Sequence, residues 1–336
     1  MFFRINVLAV LLAFAVVMLG AYVRLSDAGL GCPDWPGCYG YIQVPSSAQD
    51  IASANAAYPE REFVAHKAWK EMVHRYFASG LGLLILIMAL LTLRRSAAAR
   101  IPRLLPWGLL GLVILQGLLG MWTVTLLLKP LIVTLHLLGG MATLSLLALC
   151  LLRNKGVASG WQARAHSWLR LGAGVALLLL VGQISLGAWT SSNYAALACP
   201  DFPTCQGYWW PPTDFSTAFT LWHGLGIDYE HGILDSVARA TIHWTHRLGA
   251  VVIAVVMALL SIWLWRTSHA DHRWRRLALA LLAAVTVQIG LGIAIVELHL
   301  PLSLAVAHNG GAALLLLVLV LINHAVWSAR NNERIE

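Results

Sequence analysis

Charge is what this sequence has least of. Only 11% of its 336 residues are Asp, Glu, Lys or Arg, against 59% apolar, and an ordinary soluble domain carries roughly twice that share of charge. A water-soluble globular fold is excluded on composition, and so is a disordered chain, which needs the opposite balance. Acidic residues number 15 against 23 basic, giving a formal net charge of +8. Nucleic acid is nevertheless not a partner, because the basic residues are scattered in short clusters between long apolar runs. Cysteine is scarce too, at five residues, and none stands two residues from another, so the spacing of a zinc knuckle is missing.

What remains are eight apolar runs, at about 5–23, 76–93, 104–128, 131–152, 168–190, 240–265, 277–298 and 302–327. Each can cross a hydrocarbon core of about 30 Å as a helix. Backbone polar groups in lipid must be satisfied within a helix or a closed barrel, so the runs predict an all-α polytopic membrane protein surrounded by lipid. A cleaved signal peptide is the alternative for the first run. Its length, and the want of a small-residue cleavage pattern before Arg24, favour a retained helix.

Arg4, Arg94, Arg95, Arg100, Arg103, Arg153, Lys155, Arg164, Arg170, Arg266, Arg273, Arg275, Arg276, Arg330 and Arg334 all fall at one end of these runs. The positive-inside rule then puts both termini in the cytoplasm and two long loops, about 24–71 and 191–239, outside. Four of the five cysteines lie in those loops, as CPDWPGC (Cys32, Cys38) and CPDFPTC (Cys199, Cys205). An oxidising outer compartment predicts a disulfide within each. Cys150 falls inside an apolar run and reads as packing.

The two cysteine loops belong to a duplication. GAYVRLSDAGLGCPDWPGC from Gly20 aligns without gaps with GAWTSSNYAALACPDFPTC from Gly187, an offset of 167. Past the loops the offset is 172, pairing His74 with His246, Arg75 with Arg247, Gln116 with Gln288, Gly120 with Gly292, His136 with His308 and Gly139 with Gly311. Two pseudo-symmetric four-helix bundles are predicted, over 1–153 and 154–336. An even number of helices in each makes the repeats parallel.

Of the 13 histidines, His74, His136, His246 and His308 recur in register inside or at the mouth of predicted helices. A membrane imidazole needs a partner. The second and fourth helices of each half start on the outer side, which puts each pair at one depth, within the first turn or two, as for bis-histidine ligation of heme iron. Helix packing is the plainer alternative; zinc fits worse for want of further ligands. Gly80, Gly82, Gly117, Gly120, Gly139 and Gly140 suit a flat macrocycle or a neighbouring helix equally. Arg75 and Arg247 read either as propionate partners or as interfacial anchors.

The halves differ where Glu71, one turn before His74, is replaced by His243. Glu71 is a candidate catalytic carboxylate that moves protons, or a helix-start charge favoured by the macrodipole. His66 is a second candidate acid or base. His166, His269 and His272 read as solvated, and His223 and His231 belong with Trp209, Trp210 and Trp222 to an interfacial belt. His299 and His324 receive no role.

The order GAYVRLSDAGLGCPDWPGC, HKAWKEMVHR, LHLLGG, the second cysteine loop, HWTHRLGA and AHNGGA resembles the heme A synthase family across nearly the whole chain. That resemblance implies an eight-helix enzyme that oxidises the C8 methyl of heme O to a formyl group by successive hydroxylations, yielding heme A for terminal oxidase assembly. It implies that His74 and His136 hold the substrate heme, that His246 and His308 hold a heme b, that Glu71 is catalytic, and that the Cys32–Cys38 loop is redox-sensitive. It also implies a bacterial plasma (inner) membrane location, with heme O synthase and an electron-transfer protein as partners. The alternative from another class is a bis-histidine diheme b-type electron-transfer cytochrome, which has no need of Glu71. A transporter is disfavoured, because no broken helix or midplane charge is seen.

Overall fold

A computed structural model describes residues 1–93, 103–157, 167–266 and 272–332. Arg94, Arg95, Arg100, Arg164, Arg334, His166 and His269 lie outside the described residues. The helices are α1 (Phe2–Leu25), α2 (Ala48–Ala57), α3 (Ala65–Leu93), α4 (Leu104–Thr125), α5 (Pro130–Lys155), α6 (Ser167–Ser192), α7 (Phe215–Ala218), α8 (Ser236–Arg266), α9 (His272–Glu297) and α10 (Leu302–Asn332). All but α2 and α7 are long and apolar enough to cross a membrane, and these eight match the eight runs. The chain is an all-α membrane protein, with no strand among the described residues.

Helix boundaries follow local chemistry. Pro130 opens α5, where its missing N–H is not needed, and Gly156 in the left-handed region (φ 61°) closes it. α2 is capped by Ser47, whose hydroxyl accepts from Asp50 N. The largest departure from the sequence reading is at α3 and α8, which start well before their apolar runs. HKAWKE and SVARAT are too polar to mark a membrane span, yet they continue the same helices outward. His74 and His246 therefore sit more than two turns inside α3 and α8, not in the first turn or two.

α1, α3, α4 and α5 pack in a closed cycle, each on the next, and α6, α8, α9 and α10 do the same. α3 and α5 occupy one diagonal of the first cycle, and α8 and α10 a diagonal of the second. The cycles meet where α1 packs on α10, α5 on α6, and α5 on α10. Their interior is continuous: Leu144 and Leu147 of α5, Ala173 and Ala176 of α6, and Leu319 and Ile322 of α10 belong to one buried cluster. In lipid, such close helix packing replaces the hydrophobic drive.

Outside the membrane spans, the two long loops behave differently. The first folds on its own half, with Cys32, Cys38, Tyr39 and Val44 packed against Ala68 and Met72 of α3. The second also reaches across. Tyr229 joins Leu30, Val124 and Leu128 in a separate cluster, and its N–H donates to Leu127 O at 3.1 Å. Asp228 and Glu230 both pair with Arg61.

Candidate functional site

His74 comes from α3 and His136 from α5, the diagonal pair, so both rings enter the middle of the first cycle. Their ring centroids are 6.5 Å apart at an interplanar angle of 85°. Two imidazoles that share a metal through near nitrogens at about 2 Å each put their ring centres at roughly this separation. The Nδ1 atoms of both are buried without a hydrogen-bond partner, an orphaned state that a membrane interior penalises. His246 of α8 and His308 of α10 occupy the matching diagonal and are close enough to interact electrostatically.

Each histidine is backed by one glycine, and the four backing glycines themselves obey the repeat. A Cβ on Gly20 would stand 3.0 Å from Cε1 of His74, and on Gly187 3.2 Å from Cε1 of His246. On Gly120 it would stand 3.4 Å from Cε1 of His136, and on Gly292 3.3 Å from Cε1 of His308. These glycines let helix backbones lie directly against the imidazoles. Of the glycines proposed from sequence, Gly120 does this and Gly139 admits the side chain of Gln116, whereas a Cβ on Gly82 or Gly117 would meet nothing within 4 Å. Gly20 and Gly187 carried the clue, since both open the repeated motif.

Among the described residues no cluster of three or more His, Cys, Asp or Glu could hold a bare metal ion. A metal already held in a macrocycle needs only axial ligands. The paired histidines at this separation and the small residues behind them fit that requirement.

Glu71 is buried, at 5% exposure. Its Oε2 accepts from Cys32 N at 2.9 Å, and its Oε1 pairs with Arg75. Arg75 also donates to the carbonyls of Asp34 (3.0 Å), Pro36 (3.2 Å) and Gly37 (2.6 Å). The other half repeats this clamp with different chemistry. Cys199 N stands 3.3 Å from His243 Nδ1 and Arg247 Nε 3.2 Å from His243 Nε2, and a neutral imidazole accepts only one of these two bonds; Arg247 also donates to the carbonyls of Cys199, Asp201 and Thr204 at 2.7–2.8 Å. Glu71 and His243 are thus the acceptors that dock each cysteine loop onto its helix. Arg75 and Arg247 cross-link the loops instead of standing free.

Both loops are closed by disulfides, Cys32–Cys38 and Cys199–Cys205, as the sequence predicts. The Asp of each CPD motif ties the turn from within. Asp34 accepts from Tyr39 N at 2.6 Å and Gly40 N at 2.7 Å, and Asp201 accepts from Gln206 N at 2.5 Å and Gly207 N at 3.0 Å. Burial alone would raise the Asp201 carboxyl, but bonds from Thr204, Gly207 and Gln206 outweigh it and hold it at about 2. Gly40 and Gly207 both adopt φ +81°, which explains the glycine two positions past each second cysteine.

His66 is exposed and makes none of the contacts around Glu71. Trp209 and Trp210 are exposed. Trp222 does more: its ring covers Lys129 Nζ at 3.0 Å from the centroid, and Lys129 also donates to Gly224 O. Lys129 stands at the start of α5, so the long loop of the second half is pinned onto the first half, a contact between distant segments that no local pattern announces.

Residues 3–320 match the family model described as COX15-CtaA, cytochrome oxidase assembly protein. A protein named heme A synthase from Shewanella oneidensis is 47% identical over 249 residues, covering 73% of this chain and 74% of that one. Heme A synthase from Shouchella clausii is 26% identical over 274 residues, covering 80% and 77%. Heme A synthase from Beijerinckia indica is 28% identical over 274 residues, covering 75% and 72%. With its paired membrane histidines and duplicated cysteine loops, the chain belongs to the COX15-CtaA family of cytochrome oxidase assembly proteins.

Proposed function

We propose that this protein is a heme A synthase of a bacterial inner membrane, oxidising the C8 methyl of heme O to the formyl group of heme A for terminal oxidases. The observation that carries this reading is the diagonal histidine pair at 6.5 Å, set in a chain 47% identical to a heme A synthase. His74 and His136 hold the substrate heme, and His246 and His308 hold a heme b. A heme b there supplies one-electron transfer. The two packing cycles act as two pseudo-symmetric bundles divided at residues 153 and 154. Both termini face the cytoplasm with the basic clusters, and both cysteine loops face outward.

The protein residues position and protect. The glycines behind the imidazoles fix the ring planes. The clamp made by Glu71, Arg75 and the Cys32–Cys38 loop covers the outer end of the first site and limits water there. Glu71 lies one turn from His74 on the same helix face, so it is the carboxylate nearest in sequence to the substrate ligand and the group assigned to proton handling. Heme O arrives from its own synthase, and electrons leave to a separate partner.

Glu71→Gln is the discriminating variant, because a glutamine still accepts from Cys32 N but carries no charge and takes up no proton. It is expected to retain bound heme and lose heme A formation, measured by extracting and chromatographing membrane hemes. Undiminished heme A would remove Glu71 from the chemistry.

A further inference from the structure

The histidines of α5 and α10 have like surroundings, but those of α3 and α8 do not. Gln183 of α6 directs its amide at His246: Nε2 donates to His246 O at 2.9 Å and lies 3.1 Å from His246 Nδ1. Gly249 makes this possible, since a Cβ there would collide with Gln183 Oε1 and stand 3.2 Å from its Cδ. By the repeat offsets the matching residues in the first half are Val16 (183 − 167) and Phe77 (249 − 172). Valine has no hydrogen-bonding group, and His74 Nδ1 is buried without a partner. The exchange of Gln183 and Gly249 for Val16 and Phe77 is therefore concerted: one half has a brace and the space for it, the other has neither.

We infer that Gln183 is a positioning residue that locks His246 as a permanent axial ligand, while the unbraced His74 leaves the first site able to exchange its heme. This rests on the proposed binding of heme between each histidine pair. A metal-ligating imidazole ordinarily gives its second ring N–H to an acceptor, which fixes its tautomer and plane. Gln183 Oε1 is buried and lacks a partner. A half-turn of the amide exchanges the bond to His246 O for one from Nδ1–H to Oε1, and leaves the Nε2 lone pair of His246 for the metal. Which amide atom faces the ring is set by that proton: with Nε2 there the side chain holds the backbone carbonyl, and with Oε1 there it holds the ring N–H.

The test uses the full-length protein purified in detergent with its native hemes. Gln183→Leu removes the brace at similar volume and is expected to lose heme b to an excess of heme-scavenging apomyoglobin about 10- to 100-fold faster than wild type. Gln183→Glu keeps an acceptor beside Nδ1 and is expected to retain heme b at the wild-type rate while its low-spin midpoint potential moves negative. The potential is a readout that simple loosening of the fold would not shift in that direction. Should the leucine variant fail to accumulate, the potential of the glutamate variant decides alone. Unchanged heme loss in Gln183→Leu, or an unchanged potential in Gln183→Glu, overturns the inference while the heme reading stands. If His246→Ala leaves the wild-type heme spectrum intact, the heme reading itself fails and takes the inference with it.

Discussion

His74 and His246 sit at matching places on matching helices, each with a glycine behind the ring and a disulfide-closed loop above it, yet their immediate neighbours differ. On the His246 side, Gln183 holds the imidazole and the loop is docked by a second imidazole, His243. On the His74 side, Nδ1 has no partner and the loop is docked by a carboxylate, Glu71. A duplicated scaffold can give two sites for one kind of ligand, but chemistry at one and retention at the other needs such departures from the repeat. On the proposed function, the shared residues build the two sites and the unshared ones divide the work.

The comparison breaks most completely at the ligands. His246→Ala or His308→Ala is expected to abolish the low-spin b-type absorbance, whereas His74→Ala or His136→Ala is expected to leave that absorbance and remove the second, exchangeable heme. Equal spectral loss in all four variants, read from reduced-minus-oxidised spectra, would mean that the sites are not distinct. A smaller and sharper effect is expected from building the brace into the first half. Val16→Gln with Phe77→Gly should slow heme release from the His74 site about 10-fold, followed as transfer of labelled heme between protein and vesicles. An unaltered release rate would contradict the role given to the missing brace.

Much of this was legible in the sequence, because membrane helices write themselves as long apolar runs and a duplication marks its own functional positions. The eight spans, both disulfides and the His74 and His136 pairing could be read that way. The helix extensions before His74 and His246 could not, since HKAWKE and SVARAT lie outside the apolar runs and their helical form follows from docking the cysteine loops. Arg75 and Arg247 show another limit. A guanidinium beside a ligand histidine suggests an anionic partner, but backbone carbonyls of a tight loop satisfy it equally well, and a carbonyl cluster has no sequence signature. Gln183 was hidden for a third reason: comparison of the halves draws attention to what matches, and the first half has Val16 at the position equivalent to Gln183.

The central claim is that the two sites hold different hemes, one resident and one in turnover. Its most direct test is the mass of every heme extracted from the purified protein. Heme B together with heme O, a partly oxidised intermediate or heme A is the predicted result; heme B alone, filling both histidine pairs, would contradict the account and identify an electron-transfer cytochrome instead.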